Sequence, residues 1–146
     1  MKTILDEARR LVIKLGTGIL TSGIGELDEG RLQGIAARMA KLRERGIEVI
    51  VVSSGAIGLG MGVLKMKKRP SRLSDLQACA AVGQTVLMET WKRAFSPFHC
   101  NVAQVLLTHE DVRNRRRHVA AQNTLERLLG LGVVPVINEN DTVSAD

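Results

Sequence analysis

The sequence predicts an α/β fold, a mainly parallel sheet sandwiched by helices, and three observations carry that expectation. Four short, nearly continuous apolar runs at 11–15, 47–53, 102–107 and 133–137 read as strands of the kind buried on both faces of a parallel sheet. Between them the apolar residues change to helical spacing, so strands and helices alternate. Three of the four runs end in polar or glycine-rich turns, at 14–18, 53–58 and 138–141, and ligands of such sheets gather at the carboxyl ends of the strands.

The first run carries Lys14 next to its last residue and breaks into Gly16-Thr17-Gly18. Lysine is rarely buried without a partner, and glycine lets the backbone approach a ligand, so the run reads as a strand that buries a lysine at an anion site. A hairpin-like stretch follows over 20–27, with Gly23 and Gly25. From Asp28, Leu32, Ile35, Ala36, Met39 and Leu42 recur at three- and four-residue intervals. That spacing predicts an amphipathic helix capped by Asp28 and stopped at Gly46.

The second strand runs directly into Ser54-Gly55-Ala56-Ile57-Gly58, repeating the order of strand, small turn and helix start. A basic loop over 65–72 leads to Ser74, whose spacing to Gln77 predicts a capping box for a long helix reaching about Phe95. Along it Leu76, Cys79, Ala80, Gly83, Val86, Leu87 and Trp91 form a narrow face of small residues suited to close packing. After the third strand, Thr108 and Asp111 predict another cap, for a helical region that breaks near Asn114 and ends at Gly130-Leu131-Gly132. Pro135 removes one ladder hydrogen bond from the fourth strand, so one side of it should be unpaired or irregular.

At 146 residues with 45% hydrophobic and 25% charged side chains, the chain fits one globular domain rather than a disordered one. No apolar stretch reaches the roughly 18 residues of a membrane span. Asp6, Glu7, Arg9 and Arg10 stand where a signal peptide would be apolar, so a cytoplasmic location with no membrane partner is expected. Cys79 and Cys100 form no CxxC pair, and His99, His109 and His118 share no ligand spacing beyond the adjacent His99-Cys100. A protein metal site is therefore not expected, and Cys79 reads as a small buried thiol.

The net charge of +6, clustered at 65–72 and 113–117, raises the alternative of a non-catalytic module binding nucleic acid or another anion through its basic face. Two Phe, one Trp and no Tyr leave few platforms for base stacking, and solvated loops and helix starts account for the clusters better. The common phosphate loops also fail. Gly16-Thr17-Gly18-Ile19-Leu20-Thr21 lacks the third glycine of GxGxxG, and no Gly-Lys-Ser/Thr occurs.

The four segments VIKLGTGIL, VIVVSSGAIGLGMG, LQACAAVGQ and VVPVINENDTVS, in this order, resemble the glutamate 5-kinase branch of the amino acid kinase family across essentially the whole chain. The NEND that follows the fourth strand sets that branch apart from carbamate, aspartate and acetylglutamate relatives. The resemblance implies transfer of the ATP γ-phosphoryl group, with Mg2+, to the side-chain carboxylate of L-glutamate at the start of proline synthesis. That carboxylate, with a reference pKa of about 4.3, is already ionised at neutral pH and needs no general base.

By the same resemblance Lys14 is the catalytic lysine against the transferring phosphoryl oxygens, and Gly16, Thr17 and Gly18 complete that nucleotide side. Ser54, Gly55, Ala56, Asn138 and Asp141 form the substrate side, with Asp141 on the amino end of glutamate. Asn138 and Asn140 also read as shaping the turn through local hydrogen bonds. Residues 1–146 are then the N-terminal, substrate-binding part of a longer domain, incomplete as a sheet and without the RNA-associated C-terminal domain of some relatives. Lacking the adenine and ribose pocket, the piece is expected to be inactive alone, and the edge exposed at its last strand predicts marginal stability or association with another chain. Proline is the expected feedback inhibitor, near 113–118.

Overall fold

In a computed structural model that describes residues 2–23 and 25–143, the apolar runs pair as one parallel sheet. Ile24 of the hairpin and Ser144 of the last motif lie outside the described residues. After a single turn, α1 (Ile4–Glu7), the chain forms β1 (Arg10–Leu15), α2 (Thr17–Leu20), β2 (Thr21–Gly23) and β3 (Glu26–Leu27). It continues through α3 (Glu29–Glu44), β4 (Glu48–Ser53), α4 (Ala56–Val63) and α5 (Leu73–Phe95). A 3-10 turn (Ser96–Phe98), β5 (Val102–Leu107), α6 (His109–Arg113), α7 (Arg115–Gly130) and β6 (Val134–Glu139) complete it. The sheet order is β1-β4-β6-β5 with every pairing parallel, and β2 and β3 form the expected antiparallel hairpin.

Side-chain alternation divides the sheet. Leu15, Val49, Val51, Val134 and Val136 point into a core with Leu32, Ala36 and Met39 of α3 and with Leu87, Trp91, Ala94 and Phe95 of α5. Trp91 and Phe95 are fully buried, and truncating either to alanine is expected to cost about 3–5 kcal/mol. On the other face α7 packs against β6 and is tied to β1 by Arg10, which donates to both carboxylate oxygens of Glu126 at 2.7 and 2.9 Å and to Glu48 at 2.7 Å.

That division corrects two expectations about the first strand. β1 is an edge strand whose burial alternates, with Val12 63% exposed and Lys14 exposed, so it is neither covered on both faces nor the burier of a lysine. The run is apolar apart from Lys14, but a face is buried only where a helix lies over it, and α7 leaves Val12 and Lys14 open.

The helix boundaries follow local chemistry with one exception. The Asp28 side chain accepts from the Arg31 amide, the reciprocal Thr108–Asp111 box is formed, and the Asn114 side chain caps α7 by accepting from the Arg117 amide. The long helix instead starts at Leu73, with Arg72 at the cap position and no side-chain cap, so the Ser74–Gln77 box is not made. The Leu76 amide already donates to the Arg72 carbonyl, which places Ser74 inside the first turn, where its backbone is helical.

Pro135 has the predicted consequence. The Val134 amide donates toward β5, to Asn101, so the neighbouring Pro135 nitrogen faces β4. The β5–β6 ladder runs over six residue pairs, whereas β4 and β6 pair only at Val51–Val136 and Val52–Ile137.

Candidate functional site

The register brings the three polar turns to one end of the sheet. Leu15 lies beside Ser53, and Val52 beside Ile137, so β1, β4 and β6 reach their carboxyl ends at the same level. The Ser54 hydroxyl links the first two turns: it lies 3.3 Å from the Thr17 hydroxyl and also 3.3 Å from the Leu15 carbonyl, to which it donates. Gly55 sits at φ +99°, a left-handed conformation natural to glycine, and a Cβ there would meet Thr17 at 3.4 Å. The turn then opens into α4 at Ala56.

Gly16 and Gly18 are not demanded by the packing of this chain. Neither has positive φ, and a Cβ at either would meet nothing within 4 Å. The open space in front of them is where a ligand could come close to the backbone. Lys14, one residue before the end of β1, is exposed and makes no ion pair among the described residues, leaving its ammonium group available to an anion.

At the end of β6, Asp141 and Ala56 line one narrow crevice together with Ala80, Gln84, Leu106, Glu139, Asn140 and Thr142. Partial burial and the nearby Glu139 carboxylate push the Asp141 carboxyl above its ordinary pKa, and Arg69 from the basic loop offsets part of that shift. The Asp141 amide donates to the Glu139 carbonyl at 3.0 Å, and the Asn140 amide to Leu107 at 2.8 Å, which holds the turn against the end of β5. Thr142 donates its hydroxyl to the Asn140 side chain.

Asn138 is buried, and its amide group is engaged at both ends. Its Nδ2 donates to Gln84 Oε1 at 2.9 Å, and its Oδ1 accepts from the Glu139 amide at 2.9 Å. The residue that the motifs do not single out is Gln84 itself, the last letter of LQACAAVGQ. Its signal in the sequence is a polar side chain closing a stripe of small and apolar ones.

α4 and α5 pack in near backbone contact beneath this site. A Cβ at Gly60 would lie 1.8 Å from the Cys79 carbonyl oxygen, and one at Gly83 would lie 1.7 Å from that of Ala56. Cys79 is fully buried there, as its small-residue neighbours predict.

A parallel sheet whose small-residue and acidic turns gather at the carboxyl ends of its strands is an α/β fold of the ligand-binding kind, and the chain belongs to the amino acid kinase family, whose pattern matches residues 9–146. Among its similar relatives within that family are glutamate 5-kinases. The one from Geobacter sp. (strain M21) is 48% identical over 145 residues, covering 99% of this chain and 39% of the relative. The one from Azoarcus sp. (strain BH72) is 49% identical over 146 residues, covering 100% and 39%. The chain therefore spans about two fifths of the length of the curated relatives it matches. Among solved structures, Giardia carbamate kinase shares the fold with a TM-score of 0.61 at 15% identity, over 90% of this chain and 58% of that one. A carbamate kinase from Giardia lamblia bound to AMP-PNP gives 0.58 at 14% identity, over 92% and 57%. No helix among the described residues is long and apolar enough to cross a membrane.

Proposed function

We propose that this chain carries the acceptor side of a kinase site that phosphorylates the side-chain carboxylate of L-glutamate, yielding glutamyl 5-phosphate at the start of proline synthesis. The observation that supports this most is the meeting of the open Gly16–Gly18 turn with the Ser54–Ala56 turn, 3.3 Å apart through Thr17 and Ser54. Bound ATP supplies the phosphoryl group. Both reactants are anionic, so the protein must offset their repulsion.

Lys14 does so from the end of β1, and the Gly16, Thr17 and Gly18 amides add donors across the open space beside it. Ser54, with the Gly55 and Ala56 amides at the start of the eight-residue α4, receives a glutamate carboxylate where the helix dipole favours negative charge. Asp141 holds the amino group, and Asn138 supports it from the strand end. Mg2+ arrives in this reading on the nucleotide phosphates.

The relatives extend well beyond the matched part, so the adenine side of the site belongs to polypeptide outside these residues, and the chain alone turns over no ATP. Cytoplasmic location, self-association and proline inhibition near the α6–α7 junction belong to the same reading. The test is thermal unfolding of the chain with and without L-glutamate. Saturating glutamate raises the midpoint if the half-site is present, by about 2.7 kcal/mol of stabilisation at a hundred times Kd. No shift, together with a steep salt dependence of nucleic-acid binding, would instead establish the basic-face module. In a polypeptide that includes the rest of the kinase domain, Lys14→Ala lowers turnover on the order of a hundredfold, and unchanged turnover refutes its role.

A further inference from the structure

Gln84 of α5 is buried, with 7% of its surface exposed, and stands in a directional chain of amides. Its Nε2 donates to Gln104 Oε1 at 3.2 Å and its Oε1 accepts from Asn138 Nδ2 at 2.9 Å. Asn138 Oδ1 in turn accepts from the Glu139 backbone amide at 2.9 Å. The backbone N–H at the end of this chain can only donate. It therefore fixes which end of Asn138 faces it, Asn138 fixes Gln84, and Gln84 fixes Gln104.

The helical turn that carries Gln84 also grips the other side of the acceptor site. Gly83 packs so closely on the Ala56 carbonyl that a Cβ would fall 1.7 Å from it, while Gln84 and Ala80 line the crevice shared by Ala56 and Asp141. One turn of α5 thus touches the start of α4, where a carboxylate is received, and the strand end that leads into Asp141.

Resting on the glutamate reading above, we propose that Gln84 is a positioning residue: through Asn138 it holds the Glu139–Asp141 turn at a set distance from the Ser54–Ala56 turn, and so governs affinity for L-glutamate and its discrimination from the shorter L-aspartate. Two groups that hold opposite ends of one amino acid measure its length only if their separation is rigid. Gln84 touches no reacting atom; it acts by accepting from Asn138 Nδ2 and so anchoring that side chain to α5.

The experiment compares the wild-type chain with Gln84→Met and Gln84→Glu by amide hydrogen exchange and by calorimetric titration with L-glutamate and L-aspartate. Met matches the shape of Gln but accepts no hydrogen bond from Asn138, whereas Glu keeps the acceptor and adds a buried charge. Positioning predicts that Met speeds exchange of the Glu139 and Asp141 amides at least tenfold and weakens glutamate binding at least tenfold while narrowing the preference over aspartate, and that Glu disturbs both less than Met. A packing role predicts the reverse order, because Met preserves the core and Glu charges it, so that order overturns the proposal. Unchanged exchange in Gln84→Met overturns it as well, as does faster exchange with unchanged glutamate affinity. A wild-type chain that binds no glutamate overturns the glutamate reading and the length discrimination with it, while the exchange data still decide whether Gln84 holds the turn.

Discussion

Two sets of glycines in this chain look alike in sequence and are opposite in cause. Gly60 and Gly83 lie where α4 and α5 meet backbone to backbone, and a Cβ at either would overlap a carbonyl oxygen at 1.8 or 1.7 Å. Gly16 and Gly18 face empty space, with nothing within 4 Å of a Cβ. The first pair is required by the fold; the second is only tolerated by it, as are Gly34, Gly58 and Gly130, where a Cβ would likewise meet nothing within 4 Å.

Substitution should separate the two. Gly83→Ala forces the α5 backbone away from Ala56, and overpacking of this kind costs about 3 kcal/mol or more, read as a fall in the urea midpoint without a change in slope. If Gly83→Ala unfolds like wild type, the close α4–α5 contact is wrong. Gly18→Ala, inside the four-residue α2, leaves stability unchanged or raises it by up to about 1 kcal/mol, because alanine costs less than glycine in a helix. In a polypeptide that includes the rest of the kinase domain, the same change weakens ATP binding. A Gly18→Ala variant that loses stability without losing nucleotide affinity would reverse the comparison.

A smaller effect tests the local chemistry away from the site. Thr108→Ala removes one half of a reciprocal capping box and should cost about 1 kcal/mol by thermal unfolding.

The smallest effects come from two carboxylates of opposite sign. The Thr108 backbone amide and hydroxyl, with Arg117, hold Asp111 below its ordinary pKa, so its contribution to stability is present above the unfolded value near 3.9 and is lost as pH falls through the folded one. Burial and Glu139 hold Asp141 above its ordinary value. The folded chain then binds more protons than the unfolded chain between about 3.9 and the raised value, so Asp141 erodes stability as pH rises through that window. Asp111→Asn should therefore destabilise at pH 7 and not in strong acid, whereas Asp141→Asn should stabilise at pH 7 and lose that advantage in acid. Equal signs for the two variants across a pH series of unfolding midpoints would show that one of these environments is misassigned.

Interactions that span three residues are legible in the order of the amino acids. The Asp28 and Thr108 caps, the break at Asn114 and the interruption at Pro135 depend only on side-chain reach and backbone geometry within a turn or a strand. The Ser74 cap has the same spacing and is nevertheless not made, since the helix starts where the chain enters from the loop after α4, and that entry places Ser74 in the first turn. Gln84 closes one of the quoted segments, yet its contacts are not legible there, because its partners, Gln104 and Asn138, are 20 and 54 residues away.

The alternation of strands and helices, the caps, the small-residue helix face and the motifs that carry the kinase resemblance are all written in neighbouring side chains, so the amino-acid order alone specifies them. Packing between distant elements was needed to show which face of β1 is covered, that Lys14 is exposed on an edge strand, that Thr17 meets Ser54, and that α5 clasps the end of β6 through an amide chain. Burial and long-range hydrogen bonding belong to pairs of elements, and no single element encodes its neighbour.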